Sequence, residues 1–385
     1  MYPHYDSTTF RNFGFFQQPE GSRLYAPGEI IFAEGEPGDF MYVIIEGEVA
    51  VTLDGRLVNY LGPGTLFGEM ALMDKRPRSA TVTAAVACRV LPLDTQRFET
   101  LIRDEPAFAL QVMAIMTERL RRFMEDEVKR LRLQQELQIS QQIQMSLLPK
   151  KSPQRQGWEF AAIYRSAQQV GGDLYDYIPT SDQPDLLRLL IADVTGKGIP
   201  AALFMAFSRT ILRAESRLSH APEEILRQTN RAIIRDMDSR LFLSAFLGTL
   251  NIKTGHFQYA NGGHDRPLWF RATVGRVEPL TTAGLLLGVR PDVILPEAVI
   301  QLEVNDVLLL YTDGVTEARD MRDEPFGEER LAAALQAAAH CSAQEIADRI
   351  AAAVTDLTSD TPQSDDLTLM VVKRVKRVNP QSDQL

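Results

Sequence analysis

Between Glu105 and Leu148 the chain has no glycine, and its one proline there, Pro106, falls where a first helical turn tolerates it. A run this long without a backbone breaker predicts one extended helix and divides the chain into a part before it and a part after it. Leu120, Met124, Val128 and Leu131 recur at spacings of three and four, and Ile139, Ile143 and Leu147 do so again. The two stripes do not share a register, the pattern of an imperfect coiled coil with a stutter near Leu131 to Leu133. The charged run from Glu118 to Arg132 solvates the helix, and Pro149 and Pro153 end it. The expected organisation is an N-terminal arm over 1–23, a first domain over 24–104, a helical linker over 105–150, a second domain over 151–375 and a solvated tail over 376–385.

The first domain reads as all-β. Met41, Val43 and Ile45 alternate with Tyr42 and Ile44, and Val49, Val51 and Leu53 alternate again, as half-buried strands do. Asp54-Gly55 suits a tight hairpin, since glycine supplies the positive φ such turns need. Closely spaced strands with these turns predict a jelly-roll-like roll. In the second domain strands and helices mix. Ile225-Leu226, Ile233 and Met237 have helical spacing, as do Ile346, Ile350 and Val354, the latter preceded by a Ser342/Glu345 capping box. Leu187 to Ala192 and Val307 to Tyr311 read as buried strands that run into aspartates.

A formal charge of −10 argues against a nucleic-acid partner, which requires a basic surface. No run of about 18 uncharged apolar residues is present, so no membrane helix is expected. Met1-Tyr-Pro-His lacks the basic and apolar regions of a signal peptide. Cys88 and Cys341 are too few and too distant to form a disulfide framework. These features predict a cytoplasmic protein without a membrane partner.

In the first domain the informative segment is Phe67-Gly68-Glu69-Met70-Ala71-Leu72, followed by Arg76-Pro77-Arg78-Ser79-Ala80-Thr81. A glycine turn entering one helical turn exposes backbone N–H groups to an anion. Arg78 is suited to a bidentate phosphate contact and Glu69 to a ribose hydroxyl. The segment resembles the phosphate-binding cassette of the cyclic nucleotide-binding domain family, over roughly Leu24 to Met124. The resemblance implies cAMP or cGMP as ligand, with Glu69 on the ribose 2′-hydroxyl, Arg78 on the cyclic phosphate, and Gly68 and Ser79 beside them. Arg119, Phe123 and Met124 fall where relatives contact the base. The competing reading is an Arg78–Glu69 ion pair inside an empty roll. The aromatic arm, Tyr2, Tyr5, Phe10, Phe13, Phe15 and Phe16, is expected to pack on its own domain.

Four aspartate-bearing segments mark the second domain: Gly171-Gly172-Asp173-Leu174-Tyr175-Asp176, Ala192-Asp193-Val194-Thr195-Gly196-Lys197-Gly198, Tyr311-Thr312-Asp313-Gly314 and Ser364-Asp365-Asp366-Leu367-Thr368. Each lies where strand and turn meet. Aspartates converging from separate strand ends repel one another unless cations sit among them. Oxygen ligands select Mg²⁺ or Mn²⁺ over zinc, and two such ions about 3.5–4 Å apart hold a hydroxide in line with phosphorus. These segments, with Asn261-Gly-Gly-His264, Leu285-Leu-Leu-Gly288 and Ile143-Gln144-Met145-Ser146-Leu147-Leu148-Pro149, resemble the metal-dependent phosphatases of the PPM superfamily, SpoIIE-like branch, over Gln134 to Lys373. The resemblance implies an α/β/β/α sandwich of two antiparallel sheets. It makes Asp173, Asp193, Asp313 and Asp365 the metal-binding and catalytic residues, with the Val194 carbonyl beside the ions and Asp365 preferred over Asp366. It leaves no obvious phosphate-gripping arginine, so the metals take that role; Lys197 is a candidate phosphate contact, His264 a packed turn residue, and Tyr175 and Asp176 candidates to line the cleft.

Other chemistries lack their residues. Gly171-Gly172-Asp173 superficially resembles the GGDEF signature, but Leu-Tyr-Asp follows, and neither cysteine has an arginine six positions on. No Gly-x-Ser-x-Gly elbow, His-Glu-x-x-His pair or Walker loop occurs. The expected molecule is a multidomain signalling enzyme, a cyclic-nucleotide-regulated serine/threonine phosphatase. The resemblance implies a phosphorylated STAS-type anti-anti-sigma regulator as its substrate. The contrasting expectation is a catalytically weak scaffold for such a partner. The apolar stripe, too long for one small roll to cover, predicts a parallel homodimer.

Overall fold

Alternating side chains sort themselves into separate cores in both halves of the chain. The computed structural model describes residues 20–376 other than 181, 220, 238, 239, 359, 360 and 362, so the aromatic arm and residues 377–385 lie outside the described residues. Two compact units divide the chain, Met1–Leu131 and Arg132–Leu385.

The first unit holds two four-stranded antiparallel sheets. One runs Arg23–Tyr25, Cys88–Leu93, Met41–Glu46, Leu66–Phe67, and the other Ile30–Phe32, Thr81–Ala84, Val49–Leu53, Arg56–Leu61. Met41, Val43 and Ile45 pack with Leu66, Leu91, Leu93, Phe108 and Val112, while Tyr42 and Ile44 pack with Phe32, Val82, Cys88 and Val90. The strand Met41–Glu46 is therefore buried on both faces rather than half-buried, because helix residues cover the face that alternation alone would leave open. Asp54 (φ 49°) and Gly55 (φ 73°) form the expected hairpin turn.

The helix Pro106–Leu147 runs 42 residues, unbroken through Leu131 to Leu133. Its first turns bury Phe108 and Val112. Leu120, Met124, Val128, Leu131, Ile139 and Ile143 lie 46–60% exposed. Among the described residues no helix is long and apolar enough to cross a membrane.

The second unit is the expected four-layer sandwich. Its two five-stranded antiparallel sheets contain Leu186–Val194 in one and Val307–Tyr311 in the other. Leu187, Leu189 and Ile191 point inward to meet Leu308, Leu310, Met370 and Val372 between the sheets. Leu190, Ala192 and Val194 point outward against residues of helices Ile199–Leu218 and Pro222–Asp236. Val307, Leu309 and Tyr311 pack likewise against Gly327–Ala338 and Ala343–Leu357. Each such side chain contributes about 1.5–3 kcal/mol by leaving water, so Leu308→Ala, with its cavity, would cost about 2–5 kcal/mol. Ser342 and Glu345 form the reciprocal capping box that starts the last helix. Cys88 and Cys341 are both free and buried, one in the core of each unit.

Candidate active site and ligand cavity

The sandwich brings four strand ends together. Leu174 pairs with Ala192, so Asp173 and Asp193 stand at the next step of that register. Asp313 opens the short helix Asp313–Thr316 after Val307–Tyr311, and Asp365 and Asp366 precede Leu367–Arg374. Asp173 is 1% exposed, and its Oδ2 accepts from the hydroxyls of Thr312 (2.7 Å) and Thr368. Asp366 accepts from the backbone N–H of Ala167 (2.8 Å) on one oxygen and of Gly172 (2.7 Å) on the other. Asp365 faces Lys197 Nζ at 2.9 Å, and that ammonium also donates to the Ser364 carbonyl.

Crowding raises these carboxyls. Asp173 is lifted well above the usual carboxylate range by burial and then by the charge of Asp193. Asp193 is pushed up to about 7 by burial and then by Asp313, and Asp313 is raised by burial and then by Asp365. Glycines permit this approach through lack of bulk. A Cβ at Gly171 would stand 2.1 Å from Asp366 Oδ2, at Gly314 1.9 Å from the Asp366 carbonyl, and at Gly172 2.8 Å from the Val194 carbonyl. Among the described residues no three His, Cys, Asp or Glu side chains surround one point as metal ligands do. Asp173 and Asp365 turn instead to hydroxyl and ammonium partners. The donor chemistry nevertheless fits a hard divalent cation: several mutually repelling carboxylates, and a carbonyl facing space that any side chain at 172 would fill.

Gln144, near the end of the long helix, clasps the backbone before Asp173. Its Nε2 donates to the Gly171 carbonyl (2.5 Å) and its Oε1 accepts from the Gly171 N–H (3.0 Å). Tyr175 and Asp176 do not line the cleft described below. The Tyr175 hydroxyl donates to the Pro149 carbonyl (3.1 Å), and Asp176, fully buried, pairs with Arg209 (3.1 Å) and Arg213 (2.6 Å) of the helix after the Asp193 loop. Alternation sends residue 176 to the helix-covered face.

Asp193 and Asp313 open onto a cleft of about 390 Å³, lined also by Thr195, Ser244, His264, Asp265, Arg266, Glu317 and Glu328. Four of these charged residues were not foreseen. Asp265 and Arg266 directly follow the Asn261-to-His264 motif, and Glu317 lies one helical turn beyond Asp313, whereas Glu328 carries no local signal. Burial, then the charge of Asp313, pushes Asp265 up to about 6. His264 is buried, its Nδ1 2.6 Å from Ser244 Oγ, and burial lowers its imidazole to about 4. It packs in its turn and also lines the cleft.

In the first unit a cavity of about 550 Å³, in the range of small-molecule sites, is lined by Gly68, Glu69, Arg78 and Ser79 along with Arg119, Arg122, Val51, Leu61 and Val82. The Arg78–Glu69 pair is not formed. Glu69 pairs with Arg119 at 2.5 Å, while Arg78 donates to the carbonyls of Gly68 (2.7 Å) and Phe40 (2.6 Å) and stacks on Phe32, 4.1 Å from the ring centre. Gly68 (φ 74°) is required twice over, since its Cβ would also meet Arg78 Nη1 at 2.8 Å. Of the three residues expected near the base, Arg119 lines the cavity while Phe123 and Met124 are exposed and off its wall; Glu118 and Arg122 join Arg119 on that side.

The family model described as Stage II sporulation protein E (SpoIIE) matches residues 183–375, and that of the cyclic nucleotide-binding domain matches residues 22–105. The phosphoserine phosphatase RsbU of Bacillus subtilis (strain 168) is 30% identical over 243 residues, covering 63% of this chain and 71% of its own. A CRP-like cAMP-activated global transcriptional regulator of Mycobacterium tuberculosis (strain H37Rv) is 37% identical over 100 residues, 25% of this chain and 45% of that protein. The solved SiaA-PP2C domain of Pseudomonas aeruginosa superposes with a TM-score of 0.57 at 23% identity, over 64% of this chain and 98% of that one, a likeness of fold.

Proposed function

Because this chain belongs to the SpoIIE family of metal-dependent protein serine/threonine phosphatases and joins that domain to a cyclic nucleotide-binding domain, we propose that it dephosphorylates a STAS-type regulator under the control of cAMP or cGMP. The observation that carries this reading is the convergence of Asp173, Asp193 and Asp313, each carboxyl raised by burial and by a neighbouring aspartate. We assign Asp173, Asp193, Asp313, Asp365 and the Val194 carbonyl to two Mn²⁺ or Mg²⁺ ions. When bound, such ions polarise the phosphoryl oxygens and activate water. The chain's own task is preorganisation: Thr312 and Thr368 aim Asp173, and Asp366 holds the 167–173 backbone against the strand that follows it.

In the roll, we assign the cyclic phosphate to Arg78, the ribose to Glu69, and the flanking contacts to Gly68 and Ser79. Control then runs through the helix Pro106–Leu147, whose Gln144 clasp on Gly171 sits two residues from Asp173. Its exposed stripe supports a parallel homodimer.

The test is phosphate release from a phosphoserine-bearing STAS protein with Mn²⁺, with and without cAMP and cGMP. Activity is expected to vanish with EDTA and in Asp313→Asn. Hydrolysis that survives either change undiminished would overturn the assignment.

A further inference from the structure

Five carboxylates wall the cleft at Asp193 and Asp313, and Arg266 is the one cationic side chain among the described residues that line it. A phosphoserine carries about −1.5 to −2 charge near neutral pH, so it meets a surface of its own sign wherever no cation receives it. Lys197 is held away, engaged by Asp365 and the Ser364 carbonyl, and does not line the cleft. Arg266 is held loosely. It faces Glu328 at 3.5 Å, with side chains 49% and 50% exposed, a geometry that contributes little and exchanges readily.

The loop carrying Arg266 is held firmly. The Asn261 side chain accepts from the His264 N–H (2.7 Å) and donates to the His264 carbonyl (2.9 Å), and His264 Nδ1 meets Ser244. Gly263 sits at φ 73°, where a Cβ would lie 3.0 Å from the Leu286 backbone nitrogen. A weakly engaged guanidinium fork on a fixed loop is prepared to take a bidentate partner.

We propose that Arg266 grips the substrate phosphate, exchanging Glu328 for two phosphoryl oxygens. This rests on the phosphatase reading and adds to it a specificity-determining contact where the sequence offered only the metals and Lys197. Glu328 acts as the placeholder: it keeps the guanidinium over the cleft and yields it when a dianion arrives.

The test uses inorganic phosphate as the probe, by calorimetric titration of the full Mg²⁺-loaded chain and by inhibition of phosphoserine-peptide hydrolysis, with thermal melts to check folding. Arg266→Ala is expected to weaken phosphate roughly 10–100-fold. Arg266→Lys falls between, keeping the charge and losing the fork. Glu328→Gln tightens phosphate about 2–5-fold by removing a competitor that holds only weakly. Phosphate affinity within twofold of wild type in Arg266→Ala overturns the proposal. So does an equal loss in the Lys and Ala variants accompanied by a lowered melting temperature, the mark of a structural arginine. Folded wild type that neither hydrolyses the peptide nor binds phosphate would overturn the phosphatase reading itself.

Discussion

Replacing Asp366 and Asp365 one at a time by asparagine separates holding the backbone from holding a metal. Both Asp366 oxygens are committed, to the N–H of Ala167 at 2.8 Å and of Gly172 at 2.7 Å, and the residue is 7% exposed. Asparagine can offer an oxygen to one amide only, and its NH₂ then faces the other N–H. The lost charge-assisted bond is worth about 1.5–3 kcal/mol, and a buried N–H without an acceptor costs a further 1–3 kcal/mol or so. One negative charge fewer beside Asp173 and Asp193, both of which Asp366 helps to raise, returns about 1 kcal/mol. The net loss of about 1.5–5 kcal/mol lowers Tm by roughly 3–20 °C in a domain of this size. Asp365 is part-exposed and paired with a part-exposed lysine, so Asp365→Asn costs less than about 1 kcal/mol in metal-free protein. Calorimetry in EDTA and in saturating Mn²⁺ reads both effects. Asp366→Asn should melt low in EDTA, whereas Asp365→Asn should melt like wild type in EDTA and lose most of the rise that Mn²⁺ confers. Reversal of the two patterns, or an Asp366→Asn melt within about 2 °C of wild type, would refute the reasoning.

Asp193, at about 7 when folded and near 3.9 when unfolded, makes the folded metal-free chain the better proton binder between those values. Its contribution to stability is therefore greatest below about pH 4, falls as pH rises to 7 and is smallest above it; melts in EDTA should show this decline flattened in Asp193→Asn. Arg78→Ala should weaken cAMP or cGMP at least about tenfold, read by calorimetry, and a wild type that binds neither would make the roll a structural module. Four glycines inserted after Arg132 should abolish nucleotide control of phosphatase rate while each domain keeps its own activity; unchanged control, or a monomer by light scattering at every concentration, would remove the helix-coupled dimer.

Features decided by near neighbours are legible in the sequence. Asp54-Gly55 makes its hairpin, Ser342 and Glu345 their capping box, and Val307 to Tyr311 the strand that delivers Asp313, because each depends on a few consecutive residues. What escapes is decided across the fold. Alternation describes Met41–Glu46 equally well with one covered face or two, and the second cover comes from Phe108 and Val112. Glu69 takes Arg119, fifty positions away, over the nearby Arg78, which two carbonyls engage. Gln144 reads as one more polar helix residue until Gly171 is brought to it. The aspartates are recognisable as a set through their turns and glycines, but that Asp366 serves the backbone while Asp365 faces a lysine depends on where each side chain points.

The two buried thiols give the chain an internal pair of clocks. Cys88 sits in the core of the roll and Cys341 in the connection between the last two helices of the sandwich, against its helix-covered core, so each is shielded from a thiol reagent until the structure around it opens. Trapping under native conditions thus times the opening of each unit separately and without a label. A cyclic nucleotide should slow Cys88 and a divalent ion Cys341. The crossed effects, nucleotide on Cys341 and ion on Cys88, report the coupling between the units with no turnover involved.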